Sequence, residues 1–209
     1  MSDLISRSNN FYSCCYDAAE KSAHFYNNLS DDDIKYLEAV QRLDTATIED
    51  FLYCAAMKAF GGTVVKHKVW RRDNKRDIWV YDVNRKKKSD AGWLGQGIYF
   101  YGVEEECDKA IMYGAFKQAY FINVESPFDM PIDFHDYITH QNDARVSERM
   151  TEVAKRNDYD GILWTCDGRE EWCVLKPNQM KRADVTLDDA GRVIPLSRRF
   201  NVANQDNRF

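Results

Sequence analysis

The apolar positions along the chain fall into two textures. Up to about residue 60 they recur at spacings of three and four, the rhythm of helices that bury one face. DAAEKSAHFYNNL places Ala18, Ala19, Ser22, Phe25 and Tyr26 in this way. SDDDIKYLEAVQRL follows, and Ser30 with three aspartates behind it predicts a helix start for both capping and dipole reasons. TIED, from Thr47 to Asp50, reads as a capping box with Asp in place of Glu, ahead of FLYCAAMKAF. Gly61-Gly62 predicts the end of that helix.

From residue 63 the texture changes. TVVKHKVW, IWVYDV, GIYFY, AYFINVES, GILWTC and EWCVLK are short, β-branched or aromatic, and bounded by turn residues, which predicts strands. ECDKAIMYGAFKQ and DARVSERMTEVAKRN, between them, predict helices. The order, helices first and then strands interrupted by two helices, is an α+β arrangement and not the alternation of a doubly wound sheet. The expected organisation is a helical subdomain over 1–62, a mixed domain over 63–185 and a polar, loosely held extension over 186–209.

Composition narrows the function classes. The 209 residues are 44% hydrophobic and 13% aromatic, enough for a real core. The formal net charge of −5 argues against a generally basic nucleic-acid coat. No stretch reaches the roughly 18 uncharged apolar residues of a membrane span, and MSDLISRSNN lacks the basic start and apolar run of a secretory signal. A cytoplasmic setting, of the producing cell or of a host, is expected. Cys14, Cys15, Cys54, Cys107, Cys166 and Cys173 form no CxxC pair, and His24, His67, His135 and His140 do not cluster, so reduced thiols and no metal are expected.

Two basic runs, WRRDNKR (70–76) and NRKKKSD (84–90), flank the IWVYDV segment. They read either as solvated hairpin ends or as a grip on phosphates, with Arg71, Arg72, Lys75, Arg76 and Lys86 to Lys88 as the contacts. Further on, Asp167-Gly168 predicts a tight turn between two strands, with Glu170 and Glu171 at the head of the second. Side chains alternate along a strand, so one of these carboxylates shares a face with Cys173 and Leu175. A carboxylate heading an apolar strand is costly unless paired or used, which makes the buried one a site candidate; the alternative is that both are exposed turn residues.

Four stretches together resemble the ADP-ribosyltransferase fold, which carries a His-Tyr-Glu catalytic set. LGQGIYFYG followed by AIMYG is similar to its glycine-x-glycine-Ile-Tyr-Phe strand and following helix. AYFINVESPFDM resembles the next strand. YDGILW and EEWCVLKPNQMK resemble the closing part of the compact members found in phages, polyvalent mobile-element proteins and bacterial effectors. The likeness spans about residues 64–184.

The resemblance implies a split β-sheet core and an NAD-dependent mono-ADP-ribosyltransferase with NAD as co-substrate. It makes Glu171 and Tyr99 catalytic and gathers Tyr81, Asp82, Gly97, Tyr99, Phe100 and Tyr113 around NAD. Gly95 and Gly97 would let backbone approach the nicotinamide end, and Tyr99 and Tyr113 would form the two faces of a ring slot. Glu171 would accept a hydrogen bond from the nicotinamide-ribose 2′-hydroxyl and stabilise the developing oxocarbenium ion.

The family's His-Gly-Thr on its first strand has no match here. Aligning IWVYDVN with that strand puts Asp82, after Tyr81, at the histidine position, and His67 is the other option. Arginine-specific relatives carry Glu/Gln-x-Glu where this chain has Arg169 two residues before Glu171, together with an Arg and a Ser-Thr-Ser pattern not found here, so arginine is disfavoured as acceptor. The acceptor, protein or nucleic acid, is left open. Two alternatives stand beside the transferase: an NAD glycohydrolase on the same fold, and a non-catalytic module that binds NAD, ADP-ribose or nucleic acid.

Overall fold

The computed structural model describes residues 16–83, 92, 94–131 and 144–209. The chain divides into two compact units. One holds the chain up to Ala59 together with Arg182–Asn201 and Arg208–Phe209; the other holds Phe60–Lys181 and Val202–Asn207.

In the first unit, residues 16–25 (α1), Asp31–Arg42 (α2) and Thr45–Ala59 (α3) are helical. Ser30 caps α2 in a reciprocal box with Asp33: the Asp33 backbone N–H donates to the Ser30 hydroxyl, and the Asp33 carboxylate accepts from the Ser30 backbone N–H. Leu43 ends the helix in the left-handed conformation. The expected box at TIED gives way to Asp44, whose carboxylate accepts from the Thr47 N–H and hydroxyl. Ala18, Ala19, Ser22 and Tyr26 are buried as the periodicity predicts, while Phe25 is exposed.

The loosely held tail expected beyond residue 185 is instead packed. Val193, Ile194, Leu196 and Phe200 are buried, and the Ser197 N–H donates to Asp33 at 2.8 Å. Arg199 donates to the Asp184 and Arg182 carbonyls at 2.7 and 2.6 Å. The polar residues that suggested solvent are ligands for buried backbone.

The second unit is built on a seven-stranded mixed sheet with strands β1 (Val69–Asp73), β2 (Ile98–Tyr101), β3 (Phe116–Ile122), β4 (Pro127–Asp129), β5 (Gly161–Cys166), β6 (Arg169–Val174) and β7 (Met180–Arg182). Its order is β4-β5-β6-β2-β1-β3-β7, hydrogen-bonded throughout, without the expected split. The fold class is α+β. β4 and β5 run parallel; β5–β6, β6–β2, β2–β1 and β1–β3 are antiparallel. Asp167 and Gly168 both have positive φ, and Cys166 pairs with Arg169, so the β5–β6 hairpin closes on a two-residue turn of the kind Asp-Gly favours.

Several predicted elements differ. IWVYDV is not a strand; residues 78–83 form an irregular segment. The neighbour of β2 is β1, which starts late in TVVKHKVW and continues into the first basic run. The helix expected over ECDKAIMYGAFKQ is shorter: α4 covers Glu104–Lys109, a 3-10 turn covers Ile111–Tyr113, and Phe116 already begins β3. The later helix, α5, is Ala144–Arg156.

Two buried polar side chains hold this unit together. Gln179 accepts from the Leu175 and Lys176 N–H groups and donates to the Asn123 and Asp160 carbonyls, filling all four amide valences. Lys181 is fully buried and donates to the Asn204 and Asp206 carbonyls at 2.6 and 3.0 Å. Asn207 in turn binds the Ile78 and Trp79 carbonyls, both at 2.8 Å, which fixes the irregular segment in place.

Candidate functional site

The pairing of β2 with β6 sorts the aromatic and acidic residues onto two faces. Ile98 pairs with Val174 and Phe100 with Trp172, all four within one apolar core with Val69 and Tyr120. Tyr99 pairs with Cys173 and Tyr101 with Glu171, on the other face. Extending that last pair across the sheet gives a row: Trp70 on β1, Tyr101 on β2, Glu171 on β6 and Trp164 on β5. A carboxylate thus sits among three aromatic side chains.

That setting changes its acidity. Burial pushes the Glu171 carboxyl up to about 7; Arg169 opposes the shift and Glu106 on α4 adds to it. The Tyr101 phenol is also pushed up, by burial first and then by the charges of Glu171 and Tyr113. Arg169 lies over the Trp164 ring, 5.4 Å from its centroid.

Arg72 carries the segment over this face. It alternates with Arg71 along β1, and its guanidinium donates to the carbonyls of Cys107 at 2.7 Å and Gly114 at 3.3 Å. Those carbonyls bracket the end of α4 and the 3-10 turn, so Arg72 holds Tyr113 close to Tyr101. Burial raises the Cys107 thiol to about 11, which suits a packing residue and not a nucleophile.

The residues singled out from the sequence are only partly brought together. Glu171 and Tyr113 contribute to this face. Tyr99 shares it, but its hydroxyl is engaged: it accepts from the Leu94 N–H at 2.9 Å and donates to the Gly95 carbonyl. With Thr151 accepting from the Gln96 N–H, Tyr99 ties the glycine loop to the sheet. Gly95 sits at φ 115°, which strongly favours glycine, and a Cβ at Gly97 would run into Cys173 and the Val174 carbonyl. The need for glycine at both positions is met by the protein's own packing.

Phe100 is buried on the opposite face, 5.3 Å from the Tyr120 ring. Tyr81 is buried there too, its hydroxyl donating to Asp73 at 2.7 Å and lying 3.0 Å from the Tyr120 hydroxyl. Asp82 is exposed in the irregular segment and does not occupy a strand. His67 meets Glu170 instead: its Nε2 lies 3.0 Å from the Glu170 carboxylate, which also accepts from the Trp172 indole. Glu170 and Glu171 therefore face opposite ways, each with its own partners.

Of the basic runs, Arg71 and Arg72 are internal. Arg71 binds both Asp73 oxygens at 3.0 Å and the Tyr99 carbonyl at 3.1 Å. Burial works against its charge and Asp73 overcomes that, leaving its pKa raised. Arg76 lies over the Phe116 ring at 5.4 Å. The run at 84–90, with Lys86 to Lys88, and His135, His140, Cys14 and Cys15 lie outside the described residues. Among the described residues no group of three His, Cys, Asp or Glu side chains is placed to hold a metal, and no helix is long and apolar enough to cross a membrane.

Tyr101 is the residue of this face that the sequence did not single out. Tyr101 shares the period-two face of Tyr99, which was legible; its pairing with Glu171 was not. Arg71 and Arg72, expected either at a solvated hairpin end or as a grip on phosphates, are instead committed to Asp73 and to backbone carbonyls. No protein-family model matches the chain, and neither a curated protein nor a solved structure matches it.

Proposed function

We propose that the chain is an NAD-dependent mono-ADP-ribosyltransferase whose reaction centre is the face carrying Glu171 and Tyr101. The observation that supports it most is Glu171 itself, a half-buried carboxylate directly across from an aromatic ring, with a second tyrosine, Tyr113, held nearby. The resemblance of the four sequence stretches to the ADP-ribosyltransferase fold supplies the chemistry such a group would perform.

NAD brings a cationic nicotinamide ring to this face. Tyr101 and Tyr113 offer flat surfaces for it, in place of the Tyr99–Tyr113 slot that the sequence suggested. The positive ring draws the Glu171 carboxyl toward its ionised form. The carboxylate then accepts a hydrogen bond from the ribose 2′-hydroxyl. As the C1′–N bond breaks, nicotinamide leaves with the bonding pair, and positive charge develops on the ribose, where Glu171 stabilises it. A nucleophile of the acceptor forms the new bond to C1′ and releases its proton to solvent.

The first strand also takes a different register in this reading. The strand beside β2 is β1, so Trp70-Arg71 stands where the family has an aromatic before its histidine, and Tyr81-Asp82 does not. Arg71 is fixed by Asp73 and by the Tyr99 carbonyl on the opposite face of the strand, over the Tyr81 ring, and it is Trp70 that shares the face of Tyr101.

The test is incubation with NAD labelled on the adenylate plus cell lysate, in parallel with Glu171→Gln. Label on a macromolecule that disappears in the variant supports the transferase. Free ADP-ribose without labelled macromolecule moves the assignment to a glycohydrolase. The engagement of Arg71 by Asp73 favours one other reading, a binding module. NAD binding that is indifferent to Glu171→Gln, with no nicotinamide released, would establish that reading.

A further inference from the structure

We infer that Arg169 anchors the diphosphate of NAD, so that the dinucleotide lies across β6 toward β5. This inference rests on the transferase reading and adds a positioning residue to it. Arg169 opens β6, paired with Cys166, and stands two residues before Glu171 on the same face. Its guanidinium lies over the Trp164 ring, and Trp164 pairs with Glu171 from the β5 side. Tyr101 pairs with Glu171 from the β2 side. Three groups therefore follow one another across the sheet: an aromatic surface at Tyr101, the Glu171 carboxyl and the Arg169 guanidinium.

NAD carries its groups in the same order. With the nicotinamide at Tyr101 and its ribose at Glu171, the diphosphate comes next. From Tyr101 to Trp164 is two strand spacings, about 10 Å, comparable with a ring, a ribose and a phosphate laid end to end. The other direction is closed. There α4 packs against β1 and β2, and Arg72 fastens its end and the 3-10 turn through the Cys107 and Gly114 carbonyls.

Arg169 suits an anion in both charge and order. Among the described residues no carboxylate forms an ion pair with it. Arg72, Lys109 and Lys117, by contrast, are committed to backbone carbonyls and to Asp108, Glu106 and Glu104. The buried Trp164 ring beneath the guanidinium limits where it moves and takes none of its N–H groups. A planar fork of N–H donors matches two oxygens of a diphosphate. Its charge already reaches Glu171, where it opposes the upward push of burial on the carboxyl.

The experiment measures nicotinamide release from NAD, and ADP-ribose binding by calorimetry, for the parent chain, Arg169→Gln and Arg169→Lys. The pH is about 9, above the Glu171 carboxyl at about 7, so that losing the Arg169 charge leaves its ionisation unchanged. Arg169 is exposed, so the variants should fold as the parent does. The expected result in Arg169→Gln is a KM for NAD raised about 10-fold or more with kcat little changed, and ADP-ribose affinity lowered in step, the range for a lost charge-assisted hydrogen bond. Arg169→Lys should recover part of both. Nicotinamide riboside, which lacks the diphosphate, should inhibit all three equally. Unchanged KM and ADP-ribose affinity in Arg169→Gln, beside a parent that releases nicotinamide, overturn the anchor alone. Riboside inhibition that weakens in step with KM also overturns it, because the substitution then disturbs the whole face. Unchanged KM with reduced labelling of macromolecules in cell lysate overturns it in favour of a contact to the acceptor. A parent that binds ADP-ribose through Arg169 but releases no nicotinamide overturns the transferase reading and leaves the anchor standing. A parent that does neither overturns both.

Discussion

Tyr101 on β2 lies directly across from Glu171 on β6, the two side chains on one face of the sheet and half-buried together. Each shapes the other's chemistry: the ring helps to strip water from the carboxyl, and the carboxylate's charge makes the phenol harder to ionise. Residues so paired are near enough to touch a common ligand. Tyr101→Phe should therefore retain most NAD-cleaving activity, because the ring surface remains. Tyr101→Ala should lose about 10-fold or more, the worth of an aromatic stacking partner plus its buried area. Nicotinamide release at saturating and limiting NAD measures both.

Glu171 titrates near neutrality, and this gives two pH dependences. Activity that requires the carboxylate should rise as pH passes through about 7 and be abolished at every pH, by about 100-fold or more, in Glu171→Gln. Stability should run the other way. The fold holds the Glu171 proton more tightly than the unfolded chain does, whose carboxyl titrates near 4.5. That contribution is full below pH 4.5 and is lost as pH rises through about 7. Relative to Glu171→Gln, the parent should therefore lose about 1–3 kcal/mol across this interval, as read by denaturant unfolding at a series of pH values.

Gln179 is a structural residue by the same accounting of partners. Gln179→Ala would leave two backbone N–H groups and two carbonyls in the interior without their bonds. Each orphaned group costs about 1–3 kcal/mol, less whatever water recovers. A loss of about 3 kcal/mol or more is expected, visible as a lowered denaturation midpoint. Gln179→Glu at low pH, with a protonated carboxyl, should recover part of it.

The His67–Glu170 pair should stabilise only a narrow interval. Its hydrogen bond to Glu170 raises His67 above 6.5, a contribution present below that value and lost as pH rises past the raised one. The bond to His67 likewise lowers Glu170 below 4.5, a contribution present above that value and lost as pH falls past the lowered one. Both act fully between about pH 4.5 and 6.5. His67 is 44% exposed, so His67→Ala should cost less than about 1 kcal/mol, largest within that interval. An equal loss at pH 5.5 and pH 9 would show that packing, and not the ion pair, is what the substitution removes.

Local signals in the sequence were enough for the parts of this protein that local physics builds. Ser30 ahead of three aspartates specifies a capped helix within four residues. Asp167-Gly168 specifies a two-residue turn because two successive residues must take positive φ. Alternation along β6 separates Glu170 from Glu171 whatever lies around them. The α+β class follows from the order of such segments.

The remainder depended on which segments meet. IWVYDV has a strand's composition, but Tyr81 is drawn down to Asp73 and Tyr120, and Asn207 binds the Ile78 and Trp79 carbonyls, so the backbone is satisfied without a ladder. WRRD has a surface composition, yet it becomes β1 because Asp73 and backbone carbonyls neutralise and satisfy both arginines. Arg199 and Asn207 of the polar tail are buried for the same reason: they find carbonyls that would otherwise go unpaired. The sequence determined which residues could bear chemistry, a buried glutamate and a series of tyrosines. Only the tertiary structure decided that Tyr101, and not Tyr99, is the one opposite Glu171, because strand register is a property of the sheet and is not carried by either strand alone.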